Sequence, residues 1–166
     1  MDEKTVLDFT MKDIGGTEVP LRSYAGRVLM IVNVTSKCGL TPQYAGLQAL
    51  WERYGGKGLA VLGFPANNFL WQEPGDNQQI QSFCTGTFGV SFPLFSKISV
   101  RGRGIHPLYG FLTGKETNPA FAGPVTWNFA KFLVDRTGTV IGRFDPRVEP
   151  LSPEVTGAVE KALAEG

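Results

Sequence analysis

The sequence is poor in the residues that build metal centres and disulfide frameworks: two cysteines, Cys38 and Cys84, and a single histidine, His106, in 166 residues. Two cysteines are too few for the bridged scaffold of a small secreted domain, and one histidine cannot complete a Cys/His zinc site. Charge of one sign is also missing. With 16 Lys and Arg against 15 Asp and Glu the net charge is +1, so no electrostatic footprint for a nucleic acid exists. Long hydrophobic runs are absent, the longest candidate being Val28 to Val32, far short of the ~18 residues of a membrane-spanning helix. Met1-Asp2-Glu3-Lys4 is acidic and no apolar h-region follows it, so no export signal is expected and a cytoplasmic location is. No internal repeat or low-complexity tract divides the chain, which reads as one domain over residues 1–166.

What is present is a soluble globular composition, 42% hydrophobic and 19% charged. Phe9–Lys12 and Glu18–Leu21, separated by Ile14-Gly15-Gly16-Thr17, have the punctuation of a β-hairpin, with Pro20 arguing for an edge. Val28–Val32 is a short, continuous apolar run suited to a strand buried on both faces, which implies parallel pairing. Thr41-Pro42 reads as a helix N-cap followed by proline at the first position. Tyr44, Leu47, Leu50, Trp51 and Tyr54 then recur at helical spacing until Gly55-Gly56. Leu59–Phe64 is the next strand, and Asp76 opens a second helix with Ile80, Phe83 and Cys84 on one face. A helical turn over Pro107–Leu112 precedes a Gly/Pro-rich stretch. Phe132–Val134 and Thr139–Ile141 flank the turn Asp135–Gly138, and a last helix starts at Ser152-Pro153-Glu154 with Val155, Ala158, Val159, Ala162 and Leu163 as its apolar stripe. A β-α-β unit, a hairpin and a helix form the plan of an α/β, thioredoxin-like fold with a mixed sheet flanked by helices.

Cys38 falls on the turn between a buried strand and the start of a helix, where backbone N–H groups, the helix dipole and the Lys37 cation favour an ionised sulfur. A small buried hydrophobe is the alternative reading of the same position. Cys84 shares an apolar face with Ile80 and Phe83, which equally suits core packing. His106 precedes Pro107 in a loop and reads as a solvated residue rather than a general base. Lys97, Arg101 and Arg103 form a small basic cluster that surface solvation explains as well as an acidic partner does. Asn33-Val34-Thr35 fits the glycosylation pattern but runs off a strand expected to be buried.

Four segments together resemble the glutathione peroxidase family over nearly the whole chain: Asn33 to Tyr44 around Cys38; Leu62 to Phe69 with Gln72-Glu73-Pro74-Gly75; Phe92-Pro93-Leu94-Phe95; and Trp127-Asn128-Phe129 with Lys131 to Val134. The resemblance implies a peroxidatic role for Cys38, with Trp127 and Asn128 as the indole and amide that hydrogen-bond the active sulfur. The family glutamine is Asn68 here, one methylene shorter, so its donor falls short of the sulfur or reaches it through water. The cysteine sometimes found nearby is Ala66, which leaves Cys84 to match the resolving cysteine of the thioredoxin-dependent branch. A disulfide would then require the second helix to open locally, since bridged Cα atoms lie within about 7 Å. The implied function is reduction of hydrogen peroxide and organic or lipid hydroperoxides through a Cys38 sulfenic acid and a Cys38–Cys84 disulfide, recycled by thioredoxin or glutathione, with no bound cofactor or metal. A peroxide sensor or a thiol-disulfide oxidoreductase on the same fold are the alternatives, although Cys38-Gly39-Leu40-Thr41 lacks the second cysteine of a C-x-x-C dithiol. The short segment between Leu112 and Trp127 points to a monomer, because tetrameric family members carry a longer insertion there.

Overall fold

The computed structural model of the chain describes residues 4–69 and 75–165. Part of the Gln72-Glu73-Pro74-Gly75 motif lies outside these residues, as does Met1-Asp2-Glu3 at the N-terminus. The N-terminal hairpin pairs β1 (Thr10–Lys12) with β2 (Glu18–Pro20) antiparallel, and Pro20 closes its end. The main sheet contains β3 (Val28–Val34), β4 (Leu59–Pro65), β5 (Lys131–Val134) and β6 (Val140–Phe144) in the order β4-β3-β5-β6. Pairing of β3 with β4 is parallel, whereas β3 with β5 and β5 with β6 are antiparallel. The apolar runs expected to be strands are therefore paired with each other, and every residue of β3 and β4 is buried.

Alternation along the strands sorts their side chains onto two faces. Leu29, Ile31, Leu62, Phe64, Phe132 and Val134 pack into a core completed by α3 (Pro107–Thr113) and the hairpin. Val28, Met30, Val32, Val61 and Leu133 pack on the other face with α1 (Gln43–Tyr54), α2 (Asn77–Phe88) and α4 (Pro153–Ala164). The helix stripes point where their periodicity puts them: Tyr44, Leu47, Leu50 and Tyr54 of α1, Ile80 and Cys84 of α2, and Val155, Val159 and Ala162 of α4 are buried. Beyond the free edge of β4, Gly63 and Ala66 form isolated bridges to Leu94 and Ile98. The close approach needs glycine at 63, where a Cβ would stand 3.0 Å from the Phe92 ring and 3.1 Å from Leu94.

Three local expectations need correction. Helix α1 begins at Gln43 with Pro42, not Thr41, at its N-cap and with no side-chain cap; the Thr41 hydroxyl is occupied in the Cys38 loop. The glycine pair does not break the helix outright: Gly55–Lys57 tightens into a 3-10 turn, and the left-handed residue that turns the chain is Gly58, φ 115°. His106 is not a freely solvated loop residue but the N-cap of α3, its Nδ1 accepting the Leu108 N–H at 3.1 Å, and partial burial lowers its pKa. At the head of α2 the expected start is found, with Asp76 and Gln79 forming a reciprocal capping box.

Candidate active site

Strand β3 delivers the chain at Val34 into the non-helical segment 35–42, and Cys38 lies in its middle, five positions before α1 begins. The influence of a helix dipole fades within its first turn, so the field at the sulfur comes instead from nearby N–H groups. Among the described residues two reach it: Leu40 donates its backbone N–H to Cys38 Sγ at 3.3 Å, and Trp127 donates its indole Nε1–H at 3.2 Å. Both distances fit hydrogen bonds to sulfur, which has a larger radius than oxygen. The loop holds its shape through Thr41, whose hydroxyl accepts the Cys38 N–H at 2.8 Å and donates to the Thr35 carbonyl at 3.1 Å. In return the Thr41 N–H donates to the Cys38 carbonyl at 3.0 Å.

Asn33 sets Trp127 in place from the end of β3. Its Nδ2 donates to the Trp127 carbonyl at 3.1 Å, and its own carbonyl accepts the Phe129 N–H at 2.7 Å. Between these two bonds sits Asn128, fully buried. The indole also packs on Phe69, ring centroids 5.5 Å apart. In the sequence Asn33 reads only as part of a motif and of a spurious glycosylation pattern; an asparagine inside an otherwise apolar strand is the signal of its structural job. Burial of Asn33 and Thr35 removes the glycosylation reading.

Cys38 is half-buried and opens on a cavity of about 710 Å³ lined by Gly39, Leu40, Thr126, Trp127 and the turn Asp145-Pro146-Arg147. The expected donor Asn68 is turned elsewhere. Its Nδ2 donates to Ser99 Oγ at 3.0 Å and to the Arg101 carbonyl at 3.3 Å, while its Oδ1 accepts the Val100 N–H at 2.9 Å. Both ends of that amide are thus engaged with residues 99–101. Cys84 is not disulfide-bonded and is completely buried on α2, whereas Cys38 packs at the margin of the same core. Of the basic cluster, Lys97 Nζ donates to the Gly75 carbonyl and Arg101 to that of Val125, so two of its three members serve the loops around them. Among the described residues no three His, Cys, Asp or Glu side chains gather as metal ligands.

The family model for glutathione peroxidase fits residues 6–113, a span that contains Cys38 and its loop. The chain belongs to the glutathione peroxidase family. It is 44% identical to the thioredoxin/glutathione peroxidase BtuE of Escherichia coli over 98% of this chain and 99% of that one. A hydroperoxy fatty acid reductase of Synechocystis is 46% identical, over 96% of each chain. The apo crystal structure of Trgpx superimposes with a TM-score of 0.78 at 33% identity, over 98% of this chain and 97% of that one. A thiol:disulfide interchange protein of Chlorobium tepidum, 14% identical with a TM-score of 0.67 over 98% of both chains, shares the thioredoxin fold. As a member of the glutathione peroxidase family the chain is a thiol peroxidase. Among its described residues no helix is long and apolar enough to cross a membrane.

Proposed function

We propose that Cys38 is the peroxidatic residue and that the chain reduces hydrogen peroxide and organic or lipid hydroperoxides. The observation that carries this reading is the Trp127 indole N–H held 3.2 Å from a half-exposed Cys38 Sγ at the mouth of a cavity. In the first half-reaction the sulfur attacks the terminal peroxide oxygen, the S–O bond forms as the O–O bond breaks, and the alkoxide or hydroxide takes a proton to leave as alcohol or water. The sulfur is oxidised to a sulfenic acid. Indole and backbone N–H groups suit this step because they donate to sulfur and to departing oxygen without offering a competing base. Asn128, buried beside Trp127, is proposed as a further donor of the same kind. Asn68 is proposed to act at one remove, by pinning residues 99–101 through its three hydrogen bonds.

In the second half-reaction Cys84 condenses with the sulfenic acid, the S–S bond forms and water leaves. Complete burial of Cys84 means that α2 opens before the two sulfurs meet. A dithiol reductant of the thioredoxin type then attacks the disulfide; the Escherichia coli relative is named for both thioredoxin and glutathione. The chain is proposed to work as a cytoplasmic monomer, which sedimentation of the reduced protein at a single-chain mass and fractionation of cells would check.

Stopped-flow peroxide consumption with Cys38→Ser is the test. Oxidation is expected to vanish in the variant, and an unaltered rate removes the proposal. Steady-state assays offering thioredoxin or glutathione separate the reductants. Cys84→Ser is expected to abolish turnover with thioredoxin while leaving the first peroxide equivalent reduced at the normal rate.

A further inference from the structure

We propose, resting on Cys38 as the reacting sulfur, that Lys131 is a positioning residue whose buried ammonium ties together the two backbone segments that wall the pocket beside the sulfur. Lys131 opens β5, in register with Val32 of β3 and Phe144 of β6, and is completely buried. It lies on the same strand face as Leu133, which packs in the core that α1 covers. An ammonium withdrawn from water is costly unless its protons find acceptors, so the partners of Nζ indicate what it is there to hold. They are two backbone carbonyls, Phe129 O at 2.7 Å and Pro146 O at 3.2 Å.

Each carbonyl belongs to a backbone segment that supplies one wall of the cavity, 126–127 leading into Phe129 and 145–147 containing Pro146. Phe129 follows Trp127-Asn128 and has φ 67°, the only left-handed non-glycine residue among those described. A phenylalanine keeps that conformation only where its surroundings over-determine it. Here its N–H is fixed by the Asn33 carbonyl, its C=O by Lys131, and its ring stands edge-on to Tyr44 at 5.4 Å. The direction of the Trp127 indole, two residues earlier, depends on that turn. Pro146 lines the cavity directly, and its carbonyl accepts a second bond from Gln43 Nε2 at 2.8 Å. Gln43 is the first residue of α1, so the turn 145–147, the Trp127 segment and the helix that follows the Cys38 loop converge on one amine and one carbonyl. Burial lowers the Lys131 pKa to about 8, against opposing attraction from Glu149 and Asp145, which leaves the amine mostly protonated at neutral pH.

Lys131→Met keeps the stem and removes the clamp; Lys131→Arg keeps charge and donors. Stopped-flow kinetics separate the constant for oxidation by peroxide from the constant for reaction with the reductant. Lys131→Met is expected to lower the oxidation constant about tenfold or more, as sub-ångström misplacement of a donor does, and to leave the reductant constant within about twofold; Lys131→Arg recovers most of the loss. An unchanged oxidation constant in folded Lys131→Met overturns the proposal, and so does an equal fall in both constants, which reports only a smaller folded fraction. Should Lys131→Met fail to fold, Gln43→Met decides: a fall of about threefold in the oxidation constant alone supports the clamp, and no change overturns it. Oxidation that survives Cys38→Ser would instead defeat the reading of Cys38, whatever Lys131 does.

Discussion

At the scale of single residues, the proposed chemistry turns on donors aimed at one sulfur. A hydrogen bond to a charged group contributes about 1.5–3 kcal/mol, so Trp127→Phe, which keeps the packing on Phe69 and removes the N–H, is expected to slow peroxide oxidation by about 10- to 100-fold. Stopped-flow oxidation of the reduced variant measures it. Asn68→Ala is expected to have a smaller effect on the same constant, because its amide bonds are made to residues 99–101. The meeting of Trp127 with Cys38 was legible in the sequence because each stands in a local motif whose side-chain types complement one another. The direction of the Asn68 amide was not, since it depends on a loop 31 positions away that presents Ser99 Oγ and two backbone groups. Lys131 and Gln43 were illegible for the opposite reason: a polar residue at the start of an element reads as solvated until burial is known.

At the scale of elements, α2 is poorly made for permanence. Its twelve residues carry no charge, so no ion pair braces it, and Gly86 and two threonines lower its intrinsic helicity. The capping box at Asp76 and the left-handed Gly89 hold its two ends, and burial of Ile80 and Cys84 does the rest. Gly86 is exposed, with nothing within 4 Å of the place a methyl group would take, so Gly86→Ala is accepted without strain and favours the helix by about 1 kcal/mol. If α2 must open for Cys84 to reach Cys38, this variant forms the disulfide about fivefold more slowly while its sulfenic acid appears at the normal rate. Mass spectrometry of quenched samples follows both species. The helices themselves were legible from apolar spacing and from the Asp76 cap. The start of α1 was not, because Thr41 offers its hydroxyl to the Cys38 N–H and so cannot cap the helix that the sequence places after it.

At the scale of the whole molecule, a central sheet carries a core on each face, and continuous apolar runs at 28–32 and 59–64 made that layer arrangement legible. Strand order was less so, since the antiparallel return of β5 beside β3 is set by contacts about a hundred residues apart. Burying Lys131 has a cost that should be visible in global stability. Its folded value of about 8 lies below the ordinary 10.5, so between these limits the unfolded chain binds more protons and stability rises with pH, by about 1.4 kcal/mol per unit of difference. Below about pH 8 that gain is lost. Urea unfolding at pH 8 and 9.5 is expected to show a steeper rise for the wild type than for Lys131→Met, a comparison that cancels the other titrating groups. The bridges beyond β4 carry one more consequence. Gly63 accepts Phe95 N–H at 2.9 Å and donates to Pro93 O at 3.0 Å, while Pro65 accepts Ile98 N–H at 2.9 Å. The chain leaving α2 is therefore moored to the sheet a few residues downstream, and a helix that melts during turnover would rewind from an anchored end, sparing the remainder of the molecule from repeated refolding.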